Sequence, residues 1–317
     1  MKTTTRITIS RIKEAVNRID PLFLDSPQYK SDSLSDVLQC EIFLKDETQN
    51  SIGSFKGRGT ELLTSNLGDI PELVCASAGN FGQALTYSCN KRGIKTTIYA
   101  SQNANCLKVE KMRSLGANVV LYGNDFDEAK SEAKLFSKKA QIRFVEDSLD
   151  IETVEGAATI GLELLNLPKK LDYLLIALGN GALATGIAKV FKEYSPETKI
   201  IAVQAKGAPA MIESWKKNDV INFLVANTIA DGIAVRLPIP EVIKDMMELI
   251  DEGILVSDQS IVEGIKLINS HEGLIVEPSA AVGIAAILEN QQKFKNKKLC
   301  SIICGRNLTE QQIKEWL

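Results

Sequence analysis

The sequence predicts an α/β protein whose sheets are mainly parallel and flanked by helices. Two observations carry this. Short apolar runs bounded by turn residues alternate with helical stripes along almost all of the 317 residues, the pattern of strand–helix–strand units. Glycine-containing turns follow two of those runs and open helices, at Ser77-Ala78-Gly79-Asn80 and at Gly179-Asn180-Gly181. A chain of this length exceeds what one hydrophobic core usually serves, so two domains are expected. The large one takes 1–71 and 150–317, and the small one 72–149.

The elements follow in order. Ile12, Ala15, Val16 and Ile19 form an opening helical stripe that Asp20-Pro21 ends. Glu41 to Asp46 reads as a charged strand. Lys56 sits after it among glycines, and the run from Gly59 to Leu67 reads as a helix. Leu73 to Ala76 is a short buried strand. Phe81, Ala84, Leu85 and Ser88 continue as a helix that Gly93 closes. Strands at Lys95–Ala100 and Val119–Leu121 bracket a helix carrying Val109, Met112 and Leu115. The charged amphipathic run Phe126–Lys139 leads to a strand at Ile142–Val145. Beyond it come a helix to Leu165, a strongly apolar strand at Leu171–Leu178, a helix at Leu183–Tyr194 and a strand at Lys199–Val203. Pro240 and Pro278 start later helices, Leu299–Ile303 is a late strand, and Thr309 caps the last helix.

Composition excludes several classes. Net charge is −3 with no basic cluster, so nucleic acid and anionic membrane lack electrostatic support as partners. No apolar run reaches the length of a membrane span. Met1 to Arg6 is polar, without the pattern of a secretory signal, and a cytoplasmic location is expected. The six cysteines form no C-x-x-C pair and read as small buried hydrophobes of a reducing compartment. One histidine, His271, cannot build a His-rich zinc site, and it reads as a surface or helix-terminal residue.

Four stretches carry chemistry. Lys56 lies in Gly53-Ser54-Phe55-Lys56-Gly57-Arg58-Gly59; a lysine amine forms a Schiff base with an aldehyde, although a lysine beside glycines is also an ordinary solvated loop. The turn from Gly179 to Gly186 aims backbone N–H groups at the positive end of a helix dipole, an anion site. It is not a dinucleotide fingerprint, because Ala184 takes the third glycine's place and Val203-Gln204-Ala205 offers no acid. It is not a triphosphate loop either, because Ile187-Ala188 follow Gly186. A small monophosphate is the remaining ligand, beside a plain structural turn. The Ser77–Asn80 turn can hold a carboxylate or serve as a capped helix start. Cys304 ends the last strand, where ligands meet open α/β sheets, or belongs to the core.

Together these stretches resemble a known family. Ser54-Phe55-Lys56-Gly57-Arg58-Gly59, Ser77-Ala78-Gly79-Asn80, Gly179 to Leu183, Ala230-Asp231-Gly232-Ile233-Ala234-Val235, Glu277-Pro278-Ser279 and Cys304-Gly305-Arg306-Asn307 occur in the order found in fold-type II pyridoxal-phosphate enzymes. The chain looks most like the threonine/serine dehydratases, a group that includes serine racemases, over roughly residues 20–310. The resemblance implies a tryptophan synthase β-like fold and pyridoxal 5'-phosphate as cofactor. Lys56 would carry it through an imine and act as the catalytic base. Phe55 would pack on the ring and Asn80 bond its hydroxyl. Gly179, Asn180, Gly181, Ala182 and Leu183 would cradle the phosphate, and Cys304 would meet the ring nitrogen. Ser77, Ala78, Gly79 and Asn80 would hold the carboxylate of a small amino-acid substrate. The implied reaction is β-elimination from L-threonine or L-serine to a 2-oxo acid and ammonia, in a homodimer or homotetramer. A neutral thiol at Cys304 does not keep the ring nitrogen protonated as an aspartate would, which favours prompt expulsion of a β-substituent.

The chain departs from the family at several positions. Racemases of the group carry a second serine as acid–base where Ala78 stands, so racemisation is disfavoured. Some relatives bind a divalent cation through carboxylates at positions that are here Gln204 and Ala210, so no metal is expected there. Asn180 and Ala182 replace two glycines of the phosphate loop, and Phe81 stands where dehydratases often have histidine; bulkier β-hydroxy amino acids therefore stay open as substrates. From the length, the regulatory domain of long threonine dehydratases is not expected after the last helix. Other outcomes on the same cofactor, namely β-replacement, threonine synthesis from a phosphorylated substrate or racemisation, are the alternatives. A non-catalytic anion-binding protein is the alternative outside enzymes.

Overall fold

The structure, a computed structural model, describes residues 5–317; the polar start read at Met1 to Thr4 lies outside the described residues. Among these, ten strands form two sheets. They are β1 (Gln28–Ser31), β2 (Glu41–Asp46), β3 (Glu72–Ala76), β4 (Lys95–Ala100), β5 (Asn118–Leu121), β6 (Arg143–Val145), β7 (Tyr173–Ala177), β8 (Lys199–Ala205), β9 (Glu252–Val256) and β10 (Lys298–Ile303). The larger sheet has the order β1-β2-β10-β7-β8-β9 and the smaller β5-β4-β3-β6. Every pairing is parallel except β1 on β2, at the edge of the larger sheet. Parallel strands buried on both faces read as unbroken apolar runs, and β7, with Leu174, Leu175 and Ile176 buried, is of this kind.

Helices cover both faces. The small-residue helix Pro278–Glu289 lies close on the larger sheet, where a Cβ at Gly283 would stand 2.1 Å from Ser301 Oγ on β10. Thr309 starts the last helix with a capping box closed by Gln312. Among the described residues no helix is long and apolar enough to cross a membrane.

Two readings of the sequence need correction. The helix after β2 starts at Lys56, not at Gly59, and ends at Ser65. Gly57 and Gly59 are there for close packing rather than chain reversal: a Cβ at Gly57 would stand 2.1 Å from the Phe23 ring, and one at Gly59 2.6 Å from the Thr153 carbonyl oxygen. Val16 falls past the end of the first helix, Ile9–Ala15, and is exposed.

Candidate active site

The chemistry-bearing segments follow strands at their carboxyl ends: Lys56 after β2, Ser77 after β3, Gly179 after β7 and Cys304 after β10. Ligands of open α/β sheets bind at such ends. The residues converge on a cavity of about 590 Å³ between the two sheets, lined by Phe55, Lys56, Ser77 to Phe81, Gly179 to Leu183, Glu277, Ser279 and Cys304.

Backbone docking places Lys56. Phe55 N–H donates to the Cys304 carbonyl at 3.1 Å, and Arg306 N–H to the Gly53 carbonyl at 2.9 Å, so the segment before the helix is stitched to the end of β10. Gly53 has φ +68°, a left-handed conformation that suits glycine. The Lys56 amine lies 4.6 Å from the Phe55 ring centroid and 6.0 Å from that of Phe81. Its hydrogen-bond partner is Asp147, Nζ to Oδ2 at 2.6 Å.

The glycine turn is shaped for close approach. Gly181 has φ +101°, and a Cβ at Gly179 would stand 2.9 Å from the Gly232 carbonyl. The helix Ala182–Tyr194 starts here, and the first N–H groups of a helix have no partner within it. Ala182 N–H donates to Ser148 Oγ at 3.0 Å. The N–H groups of Asn180, Gly181 and Leu183 have no acceptor among the described residues. They can take an anion.

Ser77 organises the second turn. Its hydroxyl oxygen accepts from Gly79 N–H at 3.2 Å and Gly82 N–H at 2.9 Å, and its own N–H is committed to the Tyr99 carbonyl at 3.0 Å. The Ser77 hydroxyl proton and the N–H groups of Ala78 and Asn80 are what this turn has left for a ligand. The Asn80 carboxamide is already engaged: Nδ2 donates to both oxygens of Glu277, at 2.9 and 3.0 Å, and Oδ1 accepts from Asn307 Nδ2 at 2.7 Å. A contact between Asn80 and a cofactor hydroxyl therefore requires part of this pairing to yield.

Glu277 is a buried carboxylate held by donors. Besides Asn80 it accepts from Ser279 Oγ at 2.7 Å and Asn307 N–H at 3.3 Å. Ser279 Oγ lies 3.9 Å from Cys304 Sγ. Burial, reinforced by the Glu277 charge, pushes the Cys304 thiol up to about 12, so it is neutral at physiological pH.

Sequence reading missed Asp147 and Ser148, which follow β6 and bring one partner to the lysine and one to the glycine turn. A carboxyl-end position after a strand was the available signal, but β6 is only three residues long and no glycine turn marks it. It also missed three ion pairs among the residues that line the cavity, Lys108 with Asp231 and Arg236 with Asp125 and with Asp127. His271 is away from the cavity; it lies in the last turn of the helix Asp258–Glu272 and contacts Ser33. Gln204 Oε1 accepts from Ile212 N–H at 3.2 Å, and the described residues contain no cluster of three His, Cys, Asp or Glu able to hold a metal.

Known proteins share this arrangement. The family model described as pyridoxal-phosphate dependent enzyme matches residues 19–305. The L-threonine ammonia-lyase of Thermotoga maritima is 33% identical over 305 residues, covering 95% of this chain and 76% of the relative. Among solved structures, the processed form of threonine deaminase isoform 2 from Solanum lycopersicum superposes with TM-score 0.89 at 30% identity, over 99% of this chain and 89% of that one. Maize serine racemase superposes with TM-score 0.90 at 27% identity, over 97% and 95%. The chain belongs to the pyridoxal-phosphate dependent enzymes, within the fold-type II group of threonine dehydratases and their relatives.

Proposed function

We propose that this enzyme is a β-eliminating lyase that converts L-threonine or L-serine to a 2-oxo acid and ammonia, with Lys56 as its catalytic residue. One observation carries the reading: a single cavity holds the Lys56 amine, an N–H cup at 179–183 and a second N–H turn at 77–80. These residues fit pyridoxal phosphate. The phosphate suits the cup, whose glycines admit close backbone approach, and the aldehyde carbon suits Lys56. The neutral Cys304 thiol suits the ring nitrogen.

When bound, the cofactor supplies an electron sink conjugated to the substrate's amino group, which acidifies the Cα–H bond. The chain's own residues do the rest. Ser77 Oγ–H and the N–H groups of Ala78 and Asn80 hold the substrate carboxylate. Lys56 Nζ takes the Cα proton as general base. Departure of the β-hydroxyl as water leaves an enamine, whose hydrolysis gives the 2-oxo acid and ammonia. The methyl group of Ala78 moves no proton, which disfavours racemisation. Free thiols at all six cysteines, five of them buried, suit a reducing compartment, and we place the enzyme in the cytoplasm.

Incubation of the purified holoenzyme with L-threonine and L-serine, followed by assay of ammonia and 2-oxo acid, tests the reading. Lys56→Ala is expected to abolish both turnover and the visible absorbance of the lysine-bound cofactor. Normal turnover by that variant would overturn it.

A further inference from the structure

The lysine's partner is a carboxylate with an unmet need. Asp147 Oδ2 accepts from Lys56 Nζ at 2.6 Å, while Oδ1 is buried and has no hydrogen-bond partner. A buried carboxylate oxygen without a donor is costly. The need grows once the Lys56 nitrogen is taken up by covalent binding of the cofactor, because an imine nitrogen carries at most one N–H where the ammonium has three. The carboxylate cannot simply retreat, because the loop that carries it is pinned on both sides. Glu146 N–H donates to Asp150 at 2.7 Å, and the Glu146 side chain is gripped by Lys134 at 2.7 Å and by Lys130. Ser148, with φ +71°, donates its N–H to Thr153 Oγ1 at 2.9 Å, and its carbonyl accepts from Arg6 at 3.1 Å.

The charges around the cavity point the same way. Four basic and six acidic side chains line it. Each base other than Lys56 is already paired with an acid of the lining: Lys108 with Asp231, Lys130 with Glu146, Arg236 with Asp125 and Asp127. Two acids of the lining remain: Glu277, which neutral donors hold, and Asp147, whose cation among the described residues is the reacting lysine itself.

We propose that Asp147 is the specificity-determining residue of this site: it accepts a hydrogen bond from a donor on the substrate's β-carbon, and so selects amino acids with a β-hydroxyl and rejects those with an anionic β-substituent. This rests on the lyase reading above and narrows it. A charge-assisted hydrogen bond to a hydroxyl favours serine and threonine. The same charge repels a β-phosphate or β-carboxylate, which separates this enzyme from reactions on phosphorylated or acidic amino acids.

The test uses holoenzyme and two ligands that cannot be eliminated because they lack a Cα hydrogen, α-methyl-L-serine and 2-aminoisobutyrate. They differ by one β-hydroxyl. By calorimetric titration, wild type is expected to prefer α-methyl-L-serine by about tenfold, the scale of one charge-assisted hydrogen bond. Asp147→Ala is expected to shrink that preference to about threefold or less by weakening α-methyl-L-serine alone, and Asp147→Asn, which keeps the side-chain shape, to gain affinity for O-phospho-L-serine. Equal weakening of both neutral ligands in the variants, meaning that Asp147 only supports the loop, overturns the proposal. So does a wild type that binds the two alike. A wild type that releases no ammonia from serine or threonine sinks the lyase reading instead, and the ligand pair still reports on Asp147.

Discussion

Arg58 grips Glu47 with two parallel contacts, Nε to Oε2 and Nη2 to Oε1, both at 2.8 Å, in a site from which Arg58 is wholly excluded from solvent. Its Nη2 also reaches Glu163 at 2.9 Å, and Lys45 completes the group from the other side of Glu163. Arg58 lies two residues past Lys56, so this network fixes the first turn of the helix that presents the amine. Removing one partner from a buried ionic group leaves the others uncompensated. Arg58→Ala is expected to cost about 3–5 kcal/mol, read from the urea unfolding midpoint, with loss of cofactor retention alongside.

The same network sets a pH limit. Burial alone would raise the Glu163 carboxyl, but Arg58 and Lys45 outweigh it and hold the group below its ordinary 4.5. A carboxyl depressed in the folded state stabilises the protein above its unfolded value and loses that contribution as pH falls through the folded one. Wild-type unfolding midpoints should therefore drop as the pH is taken below about 4.5, and Glu163→Gln should flatten that part of the profile.

Gly59 tests whether packing or helix propensity governs the lysine helix. Alanine would add up to about 1 kcal/mol of helix propensity. Its Cβ would stand 2.6 Å from the Thr153 carbonyl oxygen and 2.8 Å from its Cα, backbone atoms that cannot rotate aside. Overpacking of this kind costs about 1–3 kcal/mol, so Gly59→Ala should lower the unfolding midpoint and shift the absorbance of the bound cofactor.

The alternation of apolar runs and helical stripes was enough to read most strands: Glu41–Asp46 and Lys95–Ala100 occupy the residues that their patterns indicate. β1 escaped because Gln-Tyr-Lys-Ser is a polar, edge-strand sequence, and β9 because it lies between turn residues without clear alternation. The lysine segment, the two turns and the cysteine were legible because backbone chemistry leaves local marks: glycines for close approach, small polar residues before a helix. Asp147 and Glu47 leave none. Their meaning is a contact across 91 residues in one case and 11 in the other, set by which strand ends meet in space.

Cysteine reactivity offers an independent check on the cavity floor. Cys106 is exposed and the other five thiols are buried, with Cys304 held neutral at physiological pH. Brief treatment of native enzyme with iodoacetamide should modify Cys106 well before Cys304, as read by peptide mass spectrometry; thiolate is the reactive form. Labelling of Cys304 at the rate of Cys106 would contradict a buried, neutral thiol.

The smaller sheet leaves the larger one through the helix Lys56–Ser65 and returns through the helix Ile151–Leu164, and these two lie against each other, a Cβ at Gly156 falling 2.5 Å from the Arg58 carbonyl. The chain therefore crosses between the two sheets twice along one seam, with Lys56 opening the first crossing and Asp147 lying just before the second, and their 2.6 Å contact ties the two crossings together at the reacting amine.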